Sequence, residues 1–365
     1  MRSVSFRRGF ISSLLVLSGF ASLAAGQVQD FTFGSGGFAV VGSPTINEQW
    51  ADLRLQPDGR ILVAGATGTA LLSSTGNALI ARHFATGAID TSFNGNGSAV
   101  LPIASAKSIA TLPDGKILVA GDNSTQTFTD FNGLIIGQSP GTPADITIAR
   151  LNANGTIDTS FGINGVVRTD SGGIDTAERI VLLPSGKFWV IGAASTSRSV
   201  SDTAWSIVAY NANGALDTTF GVGGRTLIDF GLANFSASLF DAALQGDNVL
   251  LAGSTGTNFT VARVNANGLP DPTFGTGGVT RIIDTFGLAS STARATSIIA
   301  LPDGRLFAYG NITFFDSDPA SVSATYSIAS RLTANGQIDP TFNAFPFLTF
   351  LATQGASAAV SGGRV

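Results

Sequence analysis

The chain has 365 residues, long enough for two average domains, and only 12% of them are charged. Its 20 Lys and Arg against 24 Asp and Glu leave a net charge of −4, which excludes the basic footprint of a nucleic-acid-binding protein. Cysteine is absent, which rules out disulfide staples and a cysteine nucleophile and leaves stability to packing.

The N-terminus comes first in chain order. Arg2, Arg7 and Arg8 form a basic stretch, Phe10 to Leu23 an apolar one, and Ala24-Ala25-Gly26 a small-residue cleavage site before Gln27. This pattern predicts a secretory signal peptide over residues 1–26, with no cysteine nearby for lipid attachment. No later window reaches the about 18 apolar residues a membrane helix needs. The mature chain, residues 27–365, is therefore expected to be a soluble monomer, secreted or held at the cell surface or in the periplasm.

Six copies of Asp-x-Ser/Thr-Phe follow, beginning at Asp30, Asp90, Asp158, Asp217, Asp271 and Asp339, at spacings of 60, 68, 59, 54 and 68 residues. A period of this size marks an array of supersecondary units. The repeats are 30–89, 90–157, 158–216, 217–270 and 271–338, with a partial sixth over 339–365. Each holds four short apolar or alternating runs bounded by turn residues. In the fifth these are Val279–Ile283, Ala295–Leu301, Leu306–Gly310 and Ile328–Leu332. Four short antiparallel strands per repeat predict an all-β chain, a β-propeller with five full blades and part of a sixth.

The turn between the second and third runs reads Pro-Asp-Gly-Arg/Lys at Pro57–Arg60, Pro113–Lys116 and Pro302–Arg305, with Pro184–Lys187 and Gln245–Asn248 as variants. Pro sets φ for a type I turn, and Gly takes the left-handed conformation behind it. The following runs Ile61–Gly65, Ile117–Gly121 and Val249–Gly253 are unbroken apolar, as expected of strands buried on both faces.

The Asp motif has a backbone reading. Asp90, Asp158, Asp217 and Asp271 accept backbone N–H groups at a capped turn, while Phe93, Phe161, Phe220 and Phe274 are core wedges. The residue after Phe is always Gly or Asn, the two types that enter the left-handed region at low cost. Arg82, Arg150, Arg263 and Arg331 share one position in the fourth run, where the third repeat is read as placing Tyr210. They are expected to pair with a neighbouring Asp or carbonyl rather than to bind anions.

Leu112–Gly121, then Ile148–Gly155 and Asp158-Thr-Ser-Phe-Gly162, resemble the bacterial delta-60 repeat, and the likeness runs from Asp30 to Val365. The resemblance implies a β-propeller-like fold in a secreted or surface protein. It carries no established activity and no catalytic residues. The last repeat departs from the pattern, with Asn343–Phe347 replacing the Gly-rich stretch, and a chain that continues past Val365 is expected.

Function is sought in the connections that vary. Between third and fourth runs the second repeat inserts Asp122 to Asp145 and the fifth Asn311 to Ser327, against Ser254 to Thr260 in the fourth. Connections between first and second runs, such as Asp170–Thr176, vary too. In an antiparallel blade both sets emerge at one end, and the constant turns and Asp corners at the other. The variable face is where binding is expected, with Asp122, Phe128, Asp130, Asp145, Phe314, Asp316 and Asp318 as candidate contacts. His83, the only histidine, reads as a surface or strand residue rather than a general base. Calcium at the Asn152–Asp158 pattern, repeated as Asn211–Asp217 and Asn265–Asp271, is the weaker alternative to Asn-Gly turns. With no nucleophile elbow, zinc motif or phosphate loop in the chain, no cofactor and no enzyme activity are expected. The reading is a scaffold that engages a protein or glycan. The alternative is an extracellular propeller enzyme acting on carbohydrate through Asp carboxylates in its central depression.

Overall fold

The structure is a computed structural model. It describes residues 3–5, 15–23, 26–29, 32–41, 47–68, 77–123, 127–129, 135–138, 145–170, 173–195, 203–230, 237–282, 291–314 and 324–342. Every regular element among them is a strand, and the fold is all-β, of β-propeller type.

The first blade runs Asn47–Leu55, Ile61–Gly68, Asn77–His83 and Ser98–Leu101 in sheet order. The second runs Ser108–Thr111, Ile117–Asp122, Ile146–Leu151 and Val166–Thr169. In the third sheet Phe188–Ser195 pairs with Arg179–Leu182 and Ile174–Asp175 and is followed by Ala204–Tyr210 and Arg225–Ile228. The fourth holds Ala237–Gln245, Asn248–Thr255, Asn258–Val264 and Val279–Ile282. Three strands of a fifth are described, Ser291–Ala300, Leu306–Phe314 and Ala324–Leu332. At the N-terminus Leu15–Leu23 pairs with Gly26–Gln29 and Phe38–Val41. The chain divides into two compact units: Met1–Val190 with Tyr210–Ala215, and Ile191–Ala209 with Leu216–Val365.

Blades and sequence repeats are out of phase. Ser98–Leu101 belongs to the second repeat but pairs with Asn77–His83 of the first, and Val166–Thr169 likewise pairs back with Ile146–Leu151. The first run of the second to fifth repeats thus closes the sheet of the repeat before it, which corrects the expectation that one repeat is one blade. The cause is local. The Asp motif forms a tight corner, with the Asp90 N–H donating to the Arg82 carbonyl, that turns the chain back along the strand it has just left.

That corner is a repeated device. Asp90 Oδ1 accepts the Ser92 backbone N–H (3.1 Å) and hydroxyl (2.5 Å), while Oδ2 takes Arg82 Nε at 2.7 Å. Arg82 Nη1 then donates to the Ala153 carbonyl of the next repeat at 2.5 Å, and its guanidinium lies 4.6 Å over the buried Phe93 ring. The same set recurs at Arg150, Asp158 and Phe161, and at Arg263, Asp271 and Phe274. The next repeat's Asn-Gly turn presses on the same ring: a Cβ on Gly155 would sit 2.8 Å from Phe93, so only glycine fits there. Gly34, Asn94, Gly162, Gly221 and Gly275, each following the Phe, have φ between 50° and 56°, as their residue types predicted.

The third repeat differs from the sequence reading. The Asp217 N–H donates to the Ala209 carbonyl, so Ala209, not Tyr210, occupies the Arg position. Tyr210 fills the place of Leu151; it is fully buried and stacks on Phe188 at 5.2 Å.

The turns reach the corners of their own blade. Lys116 Nζ lies 2.9 Å from Asp158, Arg60 Nε 3.0 Å from Asp90, and Arg305 Nη1 3.3 Å from Asp339. Turns and corners therefore share one end of each blade, and the insertions leave from the other.

Candidate carboxylate site on the insertion end

The second blade gathers acidic side chains at its insertion end. Asp122 closes the strand Ile117–Asp122 and pairs in register with Ile146, which sets it beside Asp145. Both are buried. Asn123 ties the neck of the insertion: its N–H donates to the Asp145 carbonyl (3.1 Å), and its Oδ1 accepts the Asp145 N–H (2.7 Å). Beyond that neck Thr127–Thr129 and Ile135–Gln138 form a two-stranded hairpin.

The chain returns to this spot twice. Asp170 follows the last strand of the second blade, and Asp175 lies in Ile174–Asp175, the short strand that opens the third sheet. One carboxylate oxygen from each of Asp145, Asp170 and Asp175 lies within 4.8 Å of the others. Asp145 and Asp175 are buried and Asp170 is exposed. Arg168 forms an ion pair with Asp145 from the neighbouring strand. Alongside, Lys107 Nζ stands between Asp122 (3.9 Å) and Glu178 (3.5 Å).

Three carboxylates this close repel one another unless a cation or a shared proton intervenes. Arg168 supplies one positive charge. Oxygens within 4.8 Å also suit a hard divalent cation bound at about 2.3–2.6 Å from each, and Asp145, Asp170 and Asp175 are the residues that would hold it.

Of the residues singled out in the sequence, Asp122 and Asp145 come together here. The strand that carries Phe128 joins the hairpin beyond them, and Phe314 ends the strand Leu306–Phe314. Asp130, Asp316 and Asp318 lie outside the described residues. Asp170 and Asp175 were missed as residues, although the connection that holds them stood out as variable. The signal available was acidic residues at both ends of one varying loop.

The Asn152–Asp158 pattern is engaged internally. Asn154 Oδ1 accepts the Thr156 N–H (3.1 Å) and hydroxyl (2.8 Å), and Asp158 faces Arg150 and Lys116. His83 is a strand residue but not a surface one. It is 3% exposed, with Nδ1 at 2.9 Å from the Gly87 carbonyl and no partner at Nε2.

A family model described as "Domain of unknown function (DUF5122) beta-propeller" matches residues 56–93, 134–161 and 245–274. No curated protein matches the sequence. Among solved structures, an alpha-L-arabinanase from Penicillium chrysogenum is 12% identical with a TM-score of 0.41, over 64% of this chain and 65% of that one. The beta-propeller domain of the Trilobed protease from Pyrococcus furiosus is 11% identical with a TM-score of 0.34, over 93% of each chain. A GH43_1 enzyme from Xanthomonas citri is 12% identical with a TM-score of 0.35, over 97% of this chain and 93% of that one. Likenesses this weak assign no activity. They do correct the expectation that the chain is not an enzyme, because enzymes stand among the proteins it is similar to. Among the described residues no helix is long and apolar enough to cross a membrane.

Proposed function

We propose that this chain is an exported, carbohydrate-directed propeller that meets its sugar on the insertion end of the second blade, with Asp145, Asp170 and Asp175 as the groups that contact or cleave it. The observation that carries this reading is the convergence of those three carboxylates within 4.8 Å, beside the longest insertion between a third and a fourth strand. Carboxylates bind sugar hydroxyls as acceptors, and a close pair can also serve as nucleophile and general acid. A calcium ion held by the same three residues would bridge sugar hydroxyls to the protein.

The test is a panel of plant and bacterial polysaccharides incubated with the purified protein, scored for binding and for released reducing ends, with calcium and with chelator. Asp145→Asn and Asp175→Asn are each expected to lower cleavage or binding at least about a hundredfold, with the folding transition preserved. Loss on chelation alone assigns the cluster to a cation. If neither binding nor cleavage responds to either substitution, the reading falls. The second reading, an interaction surface for a protein partner, is favoured by the unequal insertions at Asp122–Asp145 and Asn311–Ser327. Shortening them would then abolish partner binding while both Asn variants retain it.

A further inference from the structure

The opposite end of the first unit holds a feature that the repeat pattern leaves unexplained. A cavity of about 700 Å³ opens among three successive turns, Gln56–Arg60, Thr111–Gly115 and Leu182–Gly186. That size falls in the range of small-ligand sites. Its walls are mostly apolar, with Leu112, Leu183 and Pro57 among them.

Two polar residues break the pattern there. The position before the turn is Leu112, Leu183 and Leu301 in three repeats. In the fourth repeat, whose turn is one residue shorter, strand pairing puts Gln245 there, directly after Leu244, and its amide is used at both ends: Oε1 accepts Arg263 Nη1 and Nε2 donates to the Gly304 carbonyl, each at 2.8 Å. Gln56 holds the same position in the first repeat and is only 8% exposed, and its Oε1 has no hydrogen-bond partner. One residue earlier the repeats place Leu55, Leu182, Leu244 and Ala300, but the second places Thr111, whose buried Oγ1 also has no partner. Both departures line the same cavity. A buried carbonyl or hydroxyl without a partner weakens the fold, so leucine would serve folding better at both positions.

The charges nearby are already matched. Arg82 pairs with Asp90 at 2.7 Å, and Arg60 pairs with Asp58 and, at 3.0 Å, with Asp90. A ligand suited to this site is therefore neutral, offers hydroxyls to Gln56 and Thr111, and lays carbon–hydrogen surface on leucine and proline. We propose that this cavity is a binding site for a short neutral oligosaccharide, separate from the carboxylate end of the same unit. The assignment does not rest on the function proposed above.

The test is calorimetric titration of the purified protein with xylotriose, arabinotriose, maltotriose and the charged trigalacturonate. At least one neutral trisaccharide is expected to bind saturably, and more tightly than trigalacturonate. Gln56→Leu and Thr111→Val are each expected to weaken it at least tenfold while leaving the melting temperature equal or higher, a pairing that a purely structural role for these residues would not give. The proposal is overturned if no neutral trisaccharide binds, if the charged one binds as well, or if binding survives both substitutions.

Discussion

Phe161 and Phe220 show what a single residue contributes to this fold. Phe161 is fully buried under the Arg150 guanidinium, 4.5 Å from its ring centre, and Phe220 is 2% exposed. Truncating either to alanine removes a ring that the neighbouring glycine turn cannot collapse to fill. Each of Phe161→Ala and Phe220→Ala is expected to destabilise by about 3–5 kcal/mol in urea unfolding, and near-neutral effects would refute the wedge role. His83 gives a residue-scale pH dependence. Burial pushes its pKa below the usual histidine value, against the raising effect of the Gly87 carbonyl. The unfolded chain thus takes up the proton first, so stability is flat above about pH 6.5 and falls as pH drops below it. His83→Gln should flatten that slope between about pH 6.5 and 5, as read from urea midpoints at stepped pH.

At the scale of the element, the corner acts as a unit. Hydrogen bonds from the Thr273 hydroxyl and backbone hold the Asp271 pKa below the usual carboxylate value, outweighing desolvation, with Arg263 adding its charge. For Asp158, burial pushes upward and is overcome by Ser160, Lys116 and Arg150. Asp158 has two cations in contact, whereas the turn of the fourth blade carries Asn248 where others carry Lys or Arg. Arg263→Met is therefore expected to cost about 3–5 kcal/mol at pH 7, and Arg150→Met clearly less, because Lys116 remains on Asp158. Both carboxylates have depressed folded pKa values, so their stabilisation is present above about pH 3.8 and fades as pH falls below it. The deficit of Arg263→Met should shrink over that acid range. Equal losses for the two variants would show that the turn lysine contributes nothing.

The whole molecule shows which parts of this were legible beforehand. The turns, the buried central strands, the left-handed Gly or Asn after Phe and the capping Asp all follow from short-range chemistry, and the structure has them where the sequence places them. The blade boundary was not legible, because four runs per repeat are compatible with any phase of sheet pairing. The match of Tyr210 to the arginine position failed for a similar reason. The third repeat has no arginine to mark the register, and the hydrogen bond from the Asp217 N–H to the Ala209 carbonyl fixes the frame. A one-residue slip exchanges a buried face for the opposite one, so only the pairing decides it.

The sequence by itself determined the repeat, its strands and turns, and the end of each blade from which insertions leave. These depend on residues within one repeat, where backbone preference and hydrophobic period act directly. Tertiary structure alone decided that Asp145, Asp170 and Asp175 meet, and that Gln56 and Thr111 face one cavity from different blades. Those groupings join residues from separate strands and repeats, and distance along the chain carries no trace of the strand pairing that brings them together.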